Sequence, residues 1–168
     1  MYWEISNIEI GGKKKMMYAS EESFIKDFAN RTKVNYQKLS PEAYEVTQLI
    51  NSMIGLLIIP EQKAYNKISD NLLDENLLIK MKDSSCLKQY TYSETLNLKQ
   101  ICRHLRNAIA HSHIEFVAIQ PERETDPIEI ESVIMKDRDD NNHFFEMKFS
   151  ISLLKEFLFE FSDAVSKI

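Results

Sequence analysis

Residues 98–113 read LKQICRHLRNAIAHSH. At about 100° per residue, Leu98, Ile101, Cys102, Leu105, Ala108 and Ile109 fall within one arc roughly 120° wide. Arg103, His104, Asn107 and His111 gather on the opposite side, with Arg106 on its border. No carboxylate lies between Glu94 and Glu115, although the chain carries a net charge of −5. The stretch therefore predicts a helix that buries one side and offers a cationic, titratable strip on the other. Basic residues near a helix C-terminus also complement the free carbonyls and the macrodipole, which is the plain structural reading. A guanidinium, a carboxamide and imidazoles with no acid among them add a chemical one, because such a set can hold a phosphate and move protons beside it.

The segments before the strip are helical in pattern. Ser20 followed by Glu21 and Glu22 starts a helix ending near Leu39, with Phe24, Phe28 and Ala29 on its apolar side. Ser40-Pro41-Glu42 is a serine cap with proline at the first helical position. The helix it opens carries Val46, Leu49, Ile50, Met53, Ile54, Leu57 and Ile58, and Pro60 is expected to break or redirect it. Thr47 and Asn51, one turn apart, are expected as satisfied polar groups of its core side. Residues 61–80 give one or two further helical pieces. Residues 82–93 are polar and read as a loop in which Tyr90 and Tyr92 cover the core edge, with stacking on bases as the functional alternative.

Outside the helices the alternation changes. Residues 2–10 and 15–19 flank Gly11-Gly12, a hairpin turn, beside which Lys13-Lys14-Lys15 reads as a solvated run. After His113, residues 114–119, 128–135 and 143–149 lean towards period two, and Asp137 to Asn142 joins the last two as a turn. The Asp-x-Asp-x-Asn spacing there is like the opening of a calcium loop, but Asn142 stands where glycine is needed and Lys148 where glutamate is. Ser150 or Ser152 opens a last helix with the stripe Leu154, Phe157, Leu158, Phe161, Val165 and Ile168. The fold class is mainly α, a helical bundle with a small antiparallel β element between the motif helix and the C-terminal helix.

Composition sets outer limits. A chain of 168 residues is expected to be one domain, residues 1–168, able to bury a core without disulfides or metal. Three glycines and four prolines favour long regular elements. The acidic balance argues against a generally basic nucleic-acid binder, so any such contact is local to the strip. Two cysteines are too few for a disulfide framework, and no stretch reads as a signal peptide or a membrane span, which together predict a soluble cytoplasmic protein.

Arg106-Asn107-Ala108-Ile109-Ala110-His111 resembles the Arg-x4–6-His motif of the HEPN superfamily, with the polar residue after Arg that its nuclease members often carry. Residues 44–60 resemble an earlier core helix of the compact stand-alone HEPN proteins of bacterial plasmids and defence loci. The resemblance implies a HEPN-type bundle, an endoribonuclease of toxin or phage-defence type, and a homodimer whose cleft takes motifs from both chains. It also implies a possible antitoxin or regulatory partner. Some HEPN toxins carry a modifiable tyrosine two residues after the motif histidine; His113 stands there, which puts that form of control in doubt.

The residues themselves support the same chemistry. RNA carries its own 2′-hydroxyl nucleophile, so cleavage needs a base, an acid for the leaving 5′-oxygen and a cation on the phosphate. Histidine suits the proton transfers, commonly worth about 10²–10⁴-fold. Arginine grips two phosphate oxygens with a planar fork. Arg106, His111 and Asn107 are thus the catalytic candidates, and Arg103, His104 and His113 the substrate-binding ones. No cofactor or metal is called for. Five helical positions separate Arg106 and His111 by about 140° and about 7.5 Å of rise. Either the helix ends near His111, or two copies pool their groups. The alternatives to a nuclease are a HEPN-like module that binds RNA or a nucleotide without cutting it, and a structural dimerisation domain.

Overall fold

The computed structural model describes residues 6–10, 13–17, 21–38, 45–119 and 129–167. Strands β1 (Ser6–Ile10) and β2 (Lys13–Met17) pair antiparallel with Ile10 opposite Lys13, the register that a two-residue turn imposes. The Gly11-Gly12 turn itself, the Ser20 cap and the Ser40-Pro41-Glu42 helix start lie outside the described residues.

Helix α1 (Glu21–Gln37) turns Ile25, Ala29 and Tyr36 into the core. Helix α2 (Glu45–Met53), a π-helical turn (Ile54–Ile58) and α3 (Ile59–Ala64) then follow without interruption. Of the two outcomes expected at Pro60, the helix is not broken there but changes its winding in the turn before it. Proline has no N–H and its ring crowds the carbonyl four residues back, and the π-turn absorbs this by letting the Ile59 N–H donate to Ile54 O, five residues back. Gly55 brings this turn against α1, where a Cβ would lie 2.2 Å from Thr32 Oγ1. Thr47 and Asn51 are exposed rather than core polar groups, because Leu49 and Met53 take the buried side two residues (about 200°) away.

Two 3-10 turns (Tyr65–Lys67 and Asp70–Leu72) lead to α4 (Glu75–Lys82), capped by Asp74, whose carboxylate accepts from the Asn76 and Leu77 N–H groups. The segment read as a loop instead contains strand β3 (Leu87–Tyr90). The motif helix α5 (Leu98–Ala110) follows, then β4 (Ile114–Ile119), β5 (Glu129–Arg138), β6 (Phe144–Ser150) and α6 (Ile151–Val165). The β5–β6 turn is closed by Asp139, whose carboxylate accepts from the backbone N–H groups of Asn141 and His143. Ser150 caps α6 through the Leu153 N–H.

The sheet runs β3-β6-β5-β4, with every neighbouring pair antiparallel. Helices thus dominate the chain, and the β element expected between motif helix and last helix is present, extended by a fourth strand from before α5. Val133, Met135, Phe145, Met147 and Phe149 are fully or almost fully buried, whereas Ile134, Lys136, Glu146 and Lys148 are only partly covered. That period of two fixes the face against which α5 and α6 pack. Leu98, Ile101, Cys102, Leu105 and Ala108 of α5 meet it with no exposed surface, as the helical projection predicts. Cys86 and Cys102 are free and buried. Among the described residues no helix is long and apolar enough to cross a membrane.

Candidate functional site

Both ends of α5 are fixed by side chains and backbone together. At the start, Asn97 accepts from the Gln100 N–H at 3.0 Å, and Asp70, bound to Lys82, accepts from the Leu98 N–H at 2.6 Å. At the end, His113 N–H donates to Ala108 O at 2.8 Å and Ser112 N–H to Ile109 O at 3.2 Å, with Ser112 at φ 57°. This is a Schellman closure with serine at the left-handed position that glycine usually takes. His111 is therefore the C-cap of the helix rather than a member of it, and the chain reverses at once into β4. Of the two arrangements left open by the spacing, the helix does end at His111. That releases the imidazole from the helical projection.

The strip is not free of acid. Glu61 of α3 is 0% exposed and its Oε2 accepts from Arg106 NH1 at 3.2 Å. Arg106 donates on its other edge to Asn107 Oδ1, from Nε at 3.3 Å and NH2 at 3.0 Å. Asn107 Nδ2 donates to Asp137 Oδ2 at 3.0 Å, and the same oxygen meets His104 Nδ1 at 2.7 Å. A polar chain thus runs Glu61–Arg106–Asn107–Asp137–His104 between α3, α5 and β5. The sequence placed none of its acids at the site, since one lies 45 residues before Arg106 and the other 31 after it. Asp137 did leave a signal, because it continues the buried alternation of Val133 and Met135 on β5. Glu61 stands just after Pro60 at the end of the apolar residues 53–59, which is the weaker hint.

Each carboxylate responds differently to its burial. Burial pushes the Glu61 carboxyl above its ordinary value, opposed by the charge and hydrogen bond of Arg106 and by the fields of Arg103 and Lys99. Its Oε1 is buried with no hydrogen-bond partner among the described residues. Burial also acts upward on Asp137, but the hydrogen bonds from His104 and Asn107, with the charge of His104, leave it below the ordinary range. An ionised Asp137 only accepts, so His104 Nδ1 carries the hydrogen between them.

The candidates separate as follows. His111 is exposed at the end of α5, and its ring lies 5.9 Å from that of His113, also exposed. Arg106 is 29% exposed. A guanidinium has five N–H donors, and the bonds above use three of the five, so NH1 and NH2 each keep one N–H uncommitted among the described residues. Asn107 is part-buried, tied to Asp137, and orients Arg106. Arg103 is partly exposed. His104 is a correction: it was placed on the open strip as a substrate contact, but it is 1% exposed. Phe145 stacks on it at 4.6 Å, and Tyr92 lies at the same distance. The reason is the sheet, whose β5 and β6 cover a flank of α5 that a lone helical wheel leaves open. Tyr90 donates to Gln100 Oε1 at 3.0 Å and, with Tyr92, packs partly buried against the core, as the plain reading of these tyrosines expects. Among the described residues no group of three His, Cys, Asp or Glu side chains is disposed to hold a metal ion.

Comparison with known families matches residues 15–168 to a HEPN family. The chain belongs to that family, described as HEPN pEK499 p136. No curated protein and no solved structure matches the chain.

Proposed function

We propose that this HEPN protein is a metal-independent endoribonuclease of toxin or phage-defence type, acting as a homodimer through Arg106 and His111. The observation that carries the reading is the preparation of Arg106. Glu61 and Asn107 hold the guanidinium from two sides while a donor on each terminal nitrogen is left over, and the exposed His111 caps the same helix. Two N–H groups on one plane match two oxygens of a phosphodiester.

In the reaction the 2′-oxygen of RNA attacks phosphorus and the bond to the 5′-oxygen breaks. A base takes the 2′-hydroxyl proton, and an acid delivers one to the leaving oxygen. The products are a 2′,3′-cyclic phosphate and a 5′-hydroxyl. Arg106 stabilises the charge that gathers on the non-bridging oxygens. His111 supplies one proton transfer, and His111 of the partner subunit supplies the second across a twofold cleft. Asn107 and Asp137 are positioning residues in this scheme. A partner protein or a trigger restrains the activity in the cell.

A second reading is favoured by one fact: Glu61 already compensates the charge of Arg106. A weakened phosphate grip fits a module that binds RNA or a nucleotide without cutting it. Labelled RNA incubated with excess EDTA separates the two. Ends carrying 2′,3′-cyclic phosphate, lost in both Arg106→Ala and His111→Ala while circular dichroism reports an intact fold, are expected. Retention of RNA without cleavage by the wild-type protein would establish the second reading. Sedimentation at micromolar concentration tests the dimer.

A further inference from the structure

The end of the sheet beside the motif carries a cavity of about 330 Å³ that adjoins the polar chain described above at Asp137. Its lining includes Gln89, His113, Lys136, Arg138, Phe144 and Glu146. Register explains how they meet. Gln89 pairs with Glu146 and Glu146 with Lys136, and the Lys136 N–H donates to His113 O at 3.1 Å. One row thus crosses β3, β6 and β5 and reaches His113 just before β4, on the face that the core does not use. Arg138 and Phe144 form the next row, with the guanidinium 4.9 Å from the ring centre.

Charge balance decides what this cavity takes. Lys136 Nζ lies 2.6 Å from Glu115 Oε1 and 3.8 Å from Glu146 Oε2, both in the lining, so its charge is answered from within. Arg138 is the second cation of the lining, but the carboxylates of Glu115, Glu146 and Asp137 outnumber the two, so a phosphate gains little there. A neutral, flat ligand with donors and acceptors on its edge gains more: an aromatic face from Phe144, and an amide, an ammonium and carboxylates for its polar rim. That describes a nucleobase. The place fits as well. His113 lines the cavity 5.9 Å from the ring of His111, and Asp137, in the same wall, holds Asn107 and through it Arg106.

The geometry points to this cavity as the subsite for the nucleobase adjoining the scissile phosphate, and hence as the source of cut-site preference; this rests on the ribonuclease reading. A bidentate pair of base-edge hydrogen bonds discriminates by about 10-fold or more. Sequencing of the ends cut from a randomised RNA pool is expected to show a preference of on the order of 10-fold at one position flanking the cut. In Gln89→Ala and Phe144→Leu, the ratio of kcat/KM between favoured and disfavoured bases then falls towards one. Gln89 is exposed, so its variant tests the subsite even if the Phe144 variant does not fold. In parallel, nucleoside 3′-monophosphates titrated into the His111→Ala protein should shift the backbone amide resonances of residues 89, 136 and 144–146. Cleavage whose base preference survives both variants, or shifts confined to other residues, overturns the subsite while leaving the nuclease standing. Shifts at these residues in a protein that cuts no RNA keep the subsite as a nucleotide site and overturn the nuclease. Neither cleavage nor shifts removes both.

Discussion

Replacing Arg106 with methionine keeps the length of the side chain but leaves Glu61 as a carboxylate without surface exposure or direct counter-charge. Breaking a buried pair from one side generally destabilises by about 3–5 kcal/mol. The carboxylate has an escape, which is to bind a proton, and this sets a ceiling. From an ordinary value of 4.5, holding it protonated at pH 7 spans about 2.5 pH units, or about 3.4 kcal/mol at about 1.4 kcal/mol per unit. At pH 5 the same proton costs only about 0.7 kcal/mol. The sign follows from linkage. The folded variant binds the proton and the unfolded chain above 4.5 does not, so stability falls as pH rises. Arg103 and Lys99 act on Glu61 through their fields and make the pH 7 loss smaller than the ceiling. Because burial already raises the Glu61 carboxyl in the wild-type fold, urea denaturation followed by circular dichroism at pH 5, 6 and 7 should show Arg106→Met losing up to about 3 kcal/mol at pH 7 and no more than about 0.7 kcal/mol at pH 5. Adding Glu61→Gln should return most of the loss at pH 7, because the second change removes the stranded charge. Equal stability of the single and double variants at pH 7, or a loss that does not vary with pH, would refute the buried pair. The double variant also serves the cleavage assay, since it lacks the guanidinium without the unfolding that its single parent risks.

Asp137→Ala leaves His104 Nδ1 and Asn107 Nδ2 without their acceptor and should destabilise by about 3 kcal/mol at pH 7. Because the folded Asp137 carboxyl lies below its ordinary 3.8, its contribution is present above that pH and lost as pH falls through the folded value. The variant should accordingly shed that part of the acid sensitivity in a pH titration of unfolding. Ser112→Gly should raise stability by about 0.5–1 kcal/mol in thermal melts, because φ 57° is free for glycine and strained for serine. Gly55→Ala should lower it by about 1–3 kcal/mol, since the new Cβ meets Thr32 Oγ1; Thr32→Ala in the same chain should recover part of this, and no recovery would place the clash at Phe28 instead.

Much was legible where a pattern is local. The burial of Leu98, Ile101, Cys102, Leu105 and Ala108 on α5 follows from helical periodicity, and a serine start to α6 at Ser150 or Ser152 was legible from local capping chemistry, of which the structure takes Ser150. The strands after His113 were legible from their alternation. Strand β3 was not: Leu87–Tyr90 is polar and short, and becomes a strand by pairing with β6, almost 60 residues later. At Pro60 the sequence left break and redirection open for a related reason. The penalty for proline inside a helix is local, while the packing of Leu56 and Leu57 that keeps the path continuous through a π-turn is not.

By itself the sequence determined that Arg106 and Asn107 lie off the buried arc of one amphipathic helix, because helix geometry converts spacing into direction without knowledge of neighbours. Only the tertiary structure decided what each does there. Glu61 and Asp137 arrive from remote segments, tie down Asn107, hold Arg106 and bury His104. Electrostatics depends on distance in space, and a charge far away in the chain can lie one hydrogen bond from the helix once the sheet and α3 have closed around it.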